Sequence, residues 1–318
     1  MSADPTRPAG PIFIVLNAGS GHQDSAATQA LIEGVLAAAG RAHRVLRVDP
    51  PGRLQAVAAE AVALARSCDG IVVAAGGDGT INTVAQAVLG SGCAFGVLPQ
   101  GTFNYFGREH GIPSDTAEAT RLLLTARTHP AQVGLVNDRV FLVNASLGLY
   151  PQLLEDREAW KRQFGRSRLV AFGAGLATLL RAHRRLRLQV EHLGRVQEVR
   201  TPTLFVGNNR LQMTQIGTAQ AFEQGHLAAI VLRPVGTLGM LWLLLRGALS
   251  RLGDADNIDS FGVDSLTVRP SRFRRAGQVK VATDGEVSWL QAPLRFRVSP
   301  EPLRLLKPDP PATAGPPP

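Results

Sequence analysis

Short apolar runs alternate with longer stretches of helical spacing through the first 130 residues of the chain. The run "PIFIVLN" at residues 11–17 reads as a strand, and Leu31, Val35 and Leu36 line one side of a helix near Ser25 to Ala39. "HRVLRVD", "GIVVAA" and "CAFGVLPQG" read as three further strands. Between them lie the alanine-rich helix "GRLQAVAAEAVALARS" and the stretch "TINTVAQAVL", whose Ile81, Val84, Ala85 and Val88 fall at i, i+3, i+4 and i+7. Strand and helix in repeated succession predict an α/β, doubly wound, mostly parallel sheet with helices on its faces.

The texture changes near residue 131. "VGLVNDRVFLVNASLGL" holds a hairpin turn at "NDR", and "LRLQVEHLGRVQEVRTPTLFVGN" pairs two strands around His192 to Gly194. Short strands follow in "HLAAIVLRP", "DSLTVRP", "QVKVATDGE" and "LRFRVSP". Two helical segments, 151–163 and 167–183, interrupt the β pattern. The division expected is residues 1–130 as a nucleotide-binding α/β domain and 131–308 as an antiparallel β-sandwich domain with helices. Residues 309–318 form a disordered, proline-rich tail in this reading.

Composition narrows the function. With 45% hydrophobic and 19% charged residues the chain is of folded, globular type. Cys68 and Cys93 have no paired spacing and the seven histidines form no HExxH, which argues against a disulfide framework or a transition-metal centre. The net charge of +9 rests on arginine, clustered at 181–187 and 271–280. Only 5% of residues are aromatic and none interleave with the basic clusters, so nucleic acid is not an expected partner. The opening residues carry no signal-peptide pattern, and the most lipid-like segment, 235–253, breaks at Arg246 and reads as a buried helix of the second domain, with a membrane-facing element as the alternative. A cytoplasmic location with transient contact at a membrane surface is expected.

The chemistry concentrates where strands of the first domain end: "NAGSG" (17–21), "GGDGT" (76–80) and "PQGTFN" (99–104). Ligands of open α/β sheets bind beyond the carboxyl ends of the strands. Gly76, Gly77 and Gly79 let backbone N–H groups approach an anion, the following helix presents its positive end, and Thr80 and Thr102 add hydroxyls. Asp78 is consistent with a divalent cation held between it and a phosphate, or with a helix N-cap. No GxxxxGK[ST] occurs and the first 160 residues contain no lysine, so this is not a P-loop.

"GGDGTINTV" followed by "LPQGTFNYFGREHGIP" resembles the catalytic domain of the diacylglycerol kinase and sphingosine kinase family, closest to its soluble bacterial lipid kinases. "NAGSG", "NASLGL" (144–149), "VGNNR" (206–210) and "TDGE" (283–286) resemble its remaining motifs, so the likeness spans residues 11 to 307. The resemblance implies transfer of the γ-phosphate of ATP to a lipid hydroxyl, diacylglycerol-like or sphingoid, assisted by Mg²⁺, in a cleft between the domains. It assigns Asn17, Ser20, Gly21, Gly76, Gly77, Gly79, Thr80, Gly101, Thr102 and Asn104 to the nucleotide. It assigns Asp78 to Mg²⁺ carried with ATP, Asp284 to the base that takes the hydroxyl proton, and Glu286 to a supporting place beside the metal. The chain departs from the family pattern at Thr83, Tyr105, Gln224 and Ala228 or Ala229, where the family has carboxylates. The last of these belong to a structural Mg²⁺ site. An NAD kinase, which shares the GGDGT turn, and a non-catalytic nucleotide or lipid sensor remain as alternatives. Homodimer formation is left open.

Overall fold

The computed structural model describes residues 8–17, 25–148, 151, 186–192, 195–215, 225–233, 258–271 and 277–309. Ser20, Gly21, Glu223 and Gln224 lie outside these residues, as do nearly all of segments 151–163 and 167–183, the segment 235–253 and the tail from residue 310. The chain divides into two compact units, residues 1–131 with 300–318, and residues 132–299.

The first unit is built on β1 (Ile12–Asn17), β2 (His43–Val48), β3 (Ile71–Gly76) and β4 (Ala94–Pro99), which run parallel in the order β2-β1-β3-β4. β3 and β4 are buried at every position and β1 at all but its last, as expected of parallel strands covered on both faces. The helices α1 (Ser25–Ala38), α2 (Leu54–Arg66), α3 (Asp78–Val88), α4 (Tyr105–Glu109) and α5 (Thr116–Thr125) connect or follow these strands. α1 packs with α5 and α2 packs with α3, the two-layer cover that right-handed crossovers impose on this strand order. The mixed α/β architecture is the one expected from the alternating pattern.

One element departs from the expected division. The strand formed by Leu303–Lys307 falls within the range 131–308, expected to be the second domain, yet it lies in the first sheet. It runs parallel to β4 and antiparallel to β5 (Arg127–Ala131), and so stands between them. Its apolar Leu303, Leu305 and Leu306 are almost wholly buried there. The local pattern "LRLLK" identifies a strand and carries no information about which sheet receives it.

Among the described residues the second unit holds twelve strands in two antiparallel sheets. One contains β6 (Gly134–Val136), β7 (Arg139–Phe141), β9 (Leu186–His192), β10 (Arg195–Thr201), β14 (Ser265–Pro270) and β17 (Leu294–Val298), in the order β10-β9-β14-β17-β6-β7. The other contains β8 (Asn144–Gly148), β11 (Thr203–Gly207), β12 (Leu227–Leu232), β13 (Ile258–Val263), β15 (Gln278–Thr283) and β16 (Glu286–Gln291), in the order β13-β12-β11-β8-β15-β16. The strand at Leu303–Lys307 is accordingly β18. A shared core joins Phe141, Leu188, Val268 and Phe296 of the first sheet to Leu147, Val206, Ala229 and Val281 of the second, so the unit is a sandwich. The expected turn at Asn137–Asp138 joins β6 to β7, with Asn137 in the left-handed region at φ 54°. A short helix, α6 (Arg210–Gln215), follows β11.

Among the described residues no helix is long and apolar enough to cross a membrane. Replacing Leu305, which is fully buried in β18, by alanine is expected to lower stability by about 2–5 kcal/mol in urea unfolding. An unchanged midpoint would contradict the placement of this strand in the interior of the first sheet.

Candidate functional site

In the first unit the predicted turns come together at the carboxyl ends of the strands. Asn17 closes β1, and its Nδ2 donates to Thr80 Oγ1 at 2.8 Å. Gly76 closes β3, and a Cβ there would stand 2.7 Å from the Thr80 side chain, so only glycine lets Thr80 fold back over the strand end. The third turn is tied to the second by the Gln100 N–H, which donates to Gly76 O at 2.8 Å. A Cβ on Gly101 would approach Gly77 Cα at 3.1 Å and Asn104 Oδ1 at 2.9 Å. Two glycine turns therefore abut, backbone against backbone.

Gly77, in extended conformation, is the N-cap of α3, and Ile81 N donates to its carbonyl at 3.0 Å. The N-cap expected as one role for Asp78 is thus taken by the residue before it. Asp78 sits in the first helical turn, where the helix dipole favours a negative charge. The N-cap, Gly77, has no side chain with which to cap this helix, an arrangement suited to an anion at its first-turn N–H groups. Asn104 is buried in the left-handed region at φ 48°, and its Oδ1 accepts the Gly101 N–H at 2.9 Å. Asn104 shapes the turn from within. Thr102 and Phe103 are exposed, and the Phe103 ring stacks on that of Tyr105 with centroids 5.8 Å apart.

Asp78 is the only acidic residue in the first turn of α3, and no cluster of three or more His, Cys, Asp or Glu occurs among the described residues. A Mg²⁺ delivered with nucleotide phosphates needs only one or two carboxylates from the protein, and Asp78 meets that requirement. A structural Mg²⁺ on β12 does not fit. Ala228 packs in an apolar cluster with Met213 and Ile230, and Ala229 faces the main core. Thr83, at the position of another family carboxylate, spends its hydroxyl on Gly79 O at 3.0 Å.

The second unit holds the other carboxylates. Asp284 and Gly285, at φ 48° and 89°, form the two-residue turn between β15 and β16, with Thr283 opposite Glu286. Asp284 Oδ2 accepts the Leu142 N–H at 2.7 Å, and Oδ1 accepts those of Val143 and Asn144, each at 2.9 Å. In return Asp284 N donates to Asn144 O at 2.9 Å. Asn208 grips the same segment from the other side: its Nδ2 donates to Leu142 O at 3.1 Å and its N–H to Val143 O at 2.8 Å. An ionised carboxylate offers about four acceptor positions, and three of Asp284's are occupied by backbone.

Glu286 differs. It is exposed at the surface, yet its pKa is raised above the ordinary 4.5, chiefly by desolvation of the carboxyl, with Arg139 opposing the rise and Asp284 adding to it. The pair expected from sequence is therefore split in character: Asp284 is fastened and Glu286 is open. Neither the role of the 142–144 backbone nor that of Asn208 was foreseen. The motifs "NASLGL" and "VGNNR" mark both places, but a hydrogen bond between segments 140 residues apart leaves no local signature.

The fold and the glycine turns define the class first: an α/β unit whose strand ends gather backbone N–H groups, hydroxyls and one aspartate, coupled in sequence to a β-sandwich. The model of the diacylglycerol kinase catalytic domain matches residues 11–136 of this chain. The "Probable lipid kinase YegS-like" of Klebsiella pneumoniae (strain 342) is 46% identical over 79 residues, 24% of this chain and 27% of the relative. The diacylglycerol kinase of Staphylococcus haemolyticus is 37% identical over 93 residues, 29% of this chain and 28% of the relative. The alignments thus span about a quarter of the length of these curated relatives. A crystal structure of a diacylglycerol kinase from Bacillus anthracis shares the fold, with a TM-score of 0.70, 21% identity, and coverage of 94% of this chain and 97% of that one.

Asp284→Asn keeps the size of the side chain and replaces one acceptor oxygen by a donor. We expect urea unfolding to show a loss of about 1–3 kcal/mol, from a backbone N–H left facing an NH₂ group. Wild-type stability in this variant would contradict the fastening role.

Proposed function

We propose that the protein is a lipid kinase that transfers the γ-phosphate of ATP, with Mg²⁺, to the hydroxyl of a diacylglycerol-like or sphingoid lipid. The observation that carries this reading is the meeting of the Gly76–Thr80 and Gly101–Asn104 turns within the stretch matched by the kinase domain model. The names of the curated relatives support a lipid acceptor.

The geometry of each unit supports the following roles. The N–H groups that open α3, with Gly77, Gly79 and Thr80, hold the phosphates; Asn17 orients the Thr80 hydroxyl. Ser20, Gly21 and Thr102 complete the nucleotide contacts. Mg²⁺ brought by the nucleotide, with Asp78 beside it, supplies neutralisation of the phosphate charge. The lipid oxygen forms a bond to the γ-phosphorus as the bond from that phosphorus to the ADP oxygen breaks, and a carboxylate receives the hydroxyl proton. We assign that proton to Glu286, whose raised pKa brings it closer to the working pH, and give Asp284 the task of holding the turn that carries Glu286. The reverse assignment drawn from the family resemblance asks a carboxylate already bound by three N–H groups to act as the base.

The protein would act in the cytoplasm and touch the membrane only to meet its substrate, with its net charge of +9 favouring anionic surfaces.

Incubation with labelled ATP, Mg²⁺ and separate acceptors (lipids, NAD, or buffer alone) is expected to label lipid. Label on NAD with none on lipid would defeat the reading, and ATP binding without transfer would favour a sensor. Glu286→Gln is expected to reduce transfer at least about 100-fold with ATP binding intact. Because the base acts deprotonated and its pKa is raised, wild-type kcat/KM should fall on acidification through a value above 4.5. That acid limb should be missing from any residual activity of the variant.

A further inference from the structure

The outer face of the β13-β12-β11-β8-β15-β16 sheet carries two polar groups that the fold itself does not use. Along β8, Ala145 and Leu147 point into the sandwich core, which places Asn144 and Ser146 on the opposite face. Ser146 is fully buried, between Phe205 of β11 and Ala282 of β15 in the pairing register. Its Oγ has no hydrogen-bond partner among the described residues. Asn144 is 4% exposed; its Nδ2 donates to Gln212 Oε1 of α6 at 3.0 Å, and its Oδ1 has no partner among the described residues either.

Buried polar groups left without partners are costly, so their retention calls for a ligand or an ordered water. These two sit one pleat apart, and the backbone N–H of Asn144 donates to Asp284, in the turn that carries Glu286. One group is an acceptor and the other a donor and acceptor, with no carboxylate in the row formed by Phe205, Ser146, Ala282 and Val287. That set matches an uncharged hydroxyl, which donates once and accepts twice. An ammonium could donate to both oxygens but would find no carboxylate in that row, the nearby Asp284 being held by three backbone N–H groups, and Lys280, on the same face by strand alternation, would repel it.

We propose that Asn144 Oδ1 and Ser146 Oγ form an uncharged subsite that hydrogen-bonds a hydroxyl in the head of the lipid acceptor. This rests on the lipid kinase reading above. Asn144 and Ser146 are then specificity-determining residues, and the subsite favours neutral hydroxylic lipids over amine-bearing ones.

The test uses the full chain with dioctanoylglycerol in mixed micelles, comparing wild type, Ser146→Ala and Ser288→Ala. Ser288 is the control: its Oγ is also without a partner among the described residues, but it lies opposite the core-facing Val281, on the other face. Ser146→Ala is expected to raise the acceptor KM about tenfold, with the ATP KM and Tm unchanged and Ser288→Ala like wild type. A lowered Tm with unchanged acceptor KM would mean the hydroxyl holds only a structural water, and would overturn the proposal. Equal KM shifts in both variants would overturn it too. If wild type phosphorylates no lipid, the kinase reading fails on its own, and calorimetric titration with dioctanoylglycerol decides the subsite. Binding weakened about tenfold by Ser146→Ala would then sustain it, and no binding, or equal binding, would overturn it.

Discussion

The carboxylate of Asp284 holds together the part of the second unit on which the proposed chemistry depends. The chain passes from β7, in one sheet of the sandwich, to β8, in the other, through Leu142 and Val143. Backbone at such a crossing loses the ladder bonds that serve it inside a sheet, and buried N–H and C=O groups must find other partners. Asp284 takes three of the N–H groups and Asn208 two of the carbonyls. The same carboxylate fixes the β15–β16 turn, so the placement of Glu286 depends on how the sandwich is closed. A catalytic carboxyl on a free hairpin would lack that support.

The first unit solves a different problem with glycine. Gly76, Gly77 and Gly101 are not in the left-handed region; the residue there is Asn104. What these glycines supply is the missing Cβ. It allows Thr80 to cover the end of β3 and two turns to approach within contact of each other, which concentrates backbone N–H groups in a small volume. Asn17 and Asn104 then spend their side chains orienting this arrangement, one through the Thr80 hydroxyl and the other through the Gly101 N–H.

Much of this was legible in the sequence where the signal is local. The buried runs of β1, β3 and β4, the spacing in α3 and the hairpin at Asn137 are written in consecutive residues, and the structure has them where the pattern puts them. The gathering of the glycine turns followed from the rule that parallel strands present their carboxyl ends together. What could not be read was pairing at a distance. The sheet that receives Leu303–Lys307 and the partners of the Asp284 carboxylate depend on segments far away in the chain, as does the split between a fastened and an open carboxyl at 284 and 286. The helix cap was missed for another reason: Asp is the better capping residue, but the turn geometry begins one residue earlier, at Gly77.

The position of β18 bears on the order in which the molecule is made. The chain leaves the first unit after Ala131 and returns only at Pro300, to fill the gap between β4 and β5. During synthesis, the first unit therefore waits with two strand edges unjoined while the whole sandwich is translated. Its closing contact spans some two hundred residues, a long loop to close, and long-range pairing of this kind is slow. The sandwich closes almost as late, because β17 pairs with β6 across about 160 residues, so both units become complete only as the last strands of the chain are made.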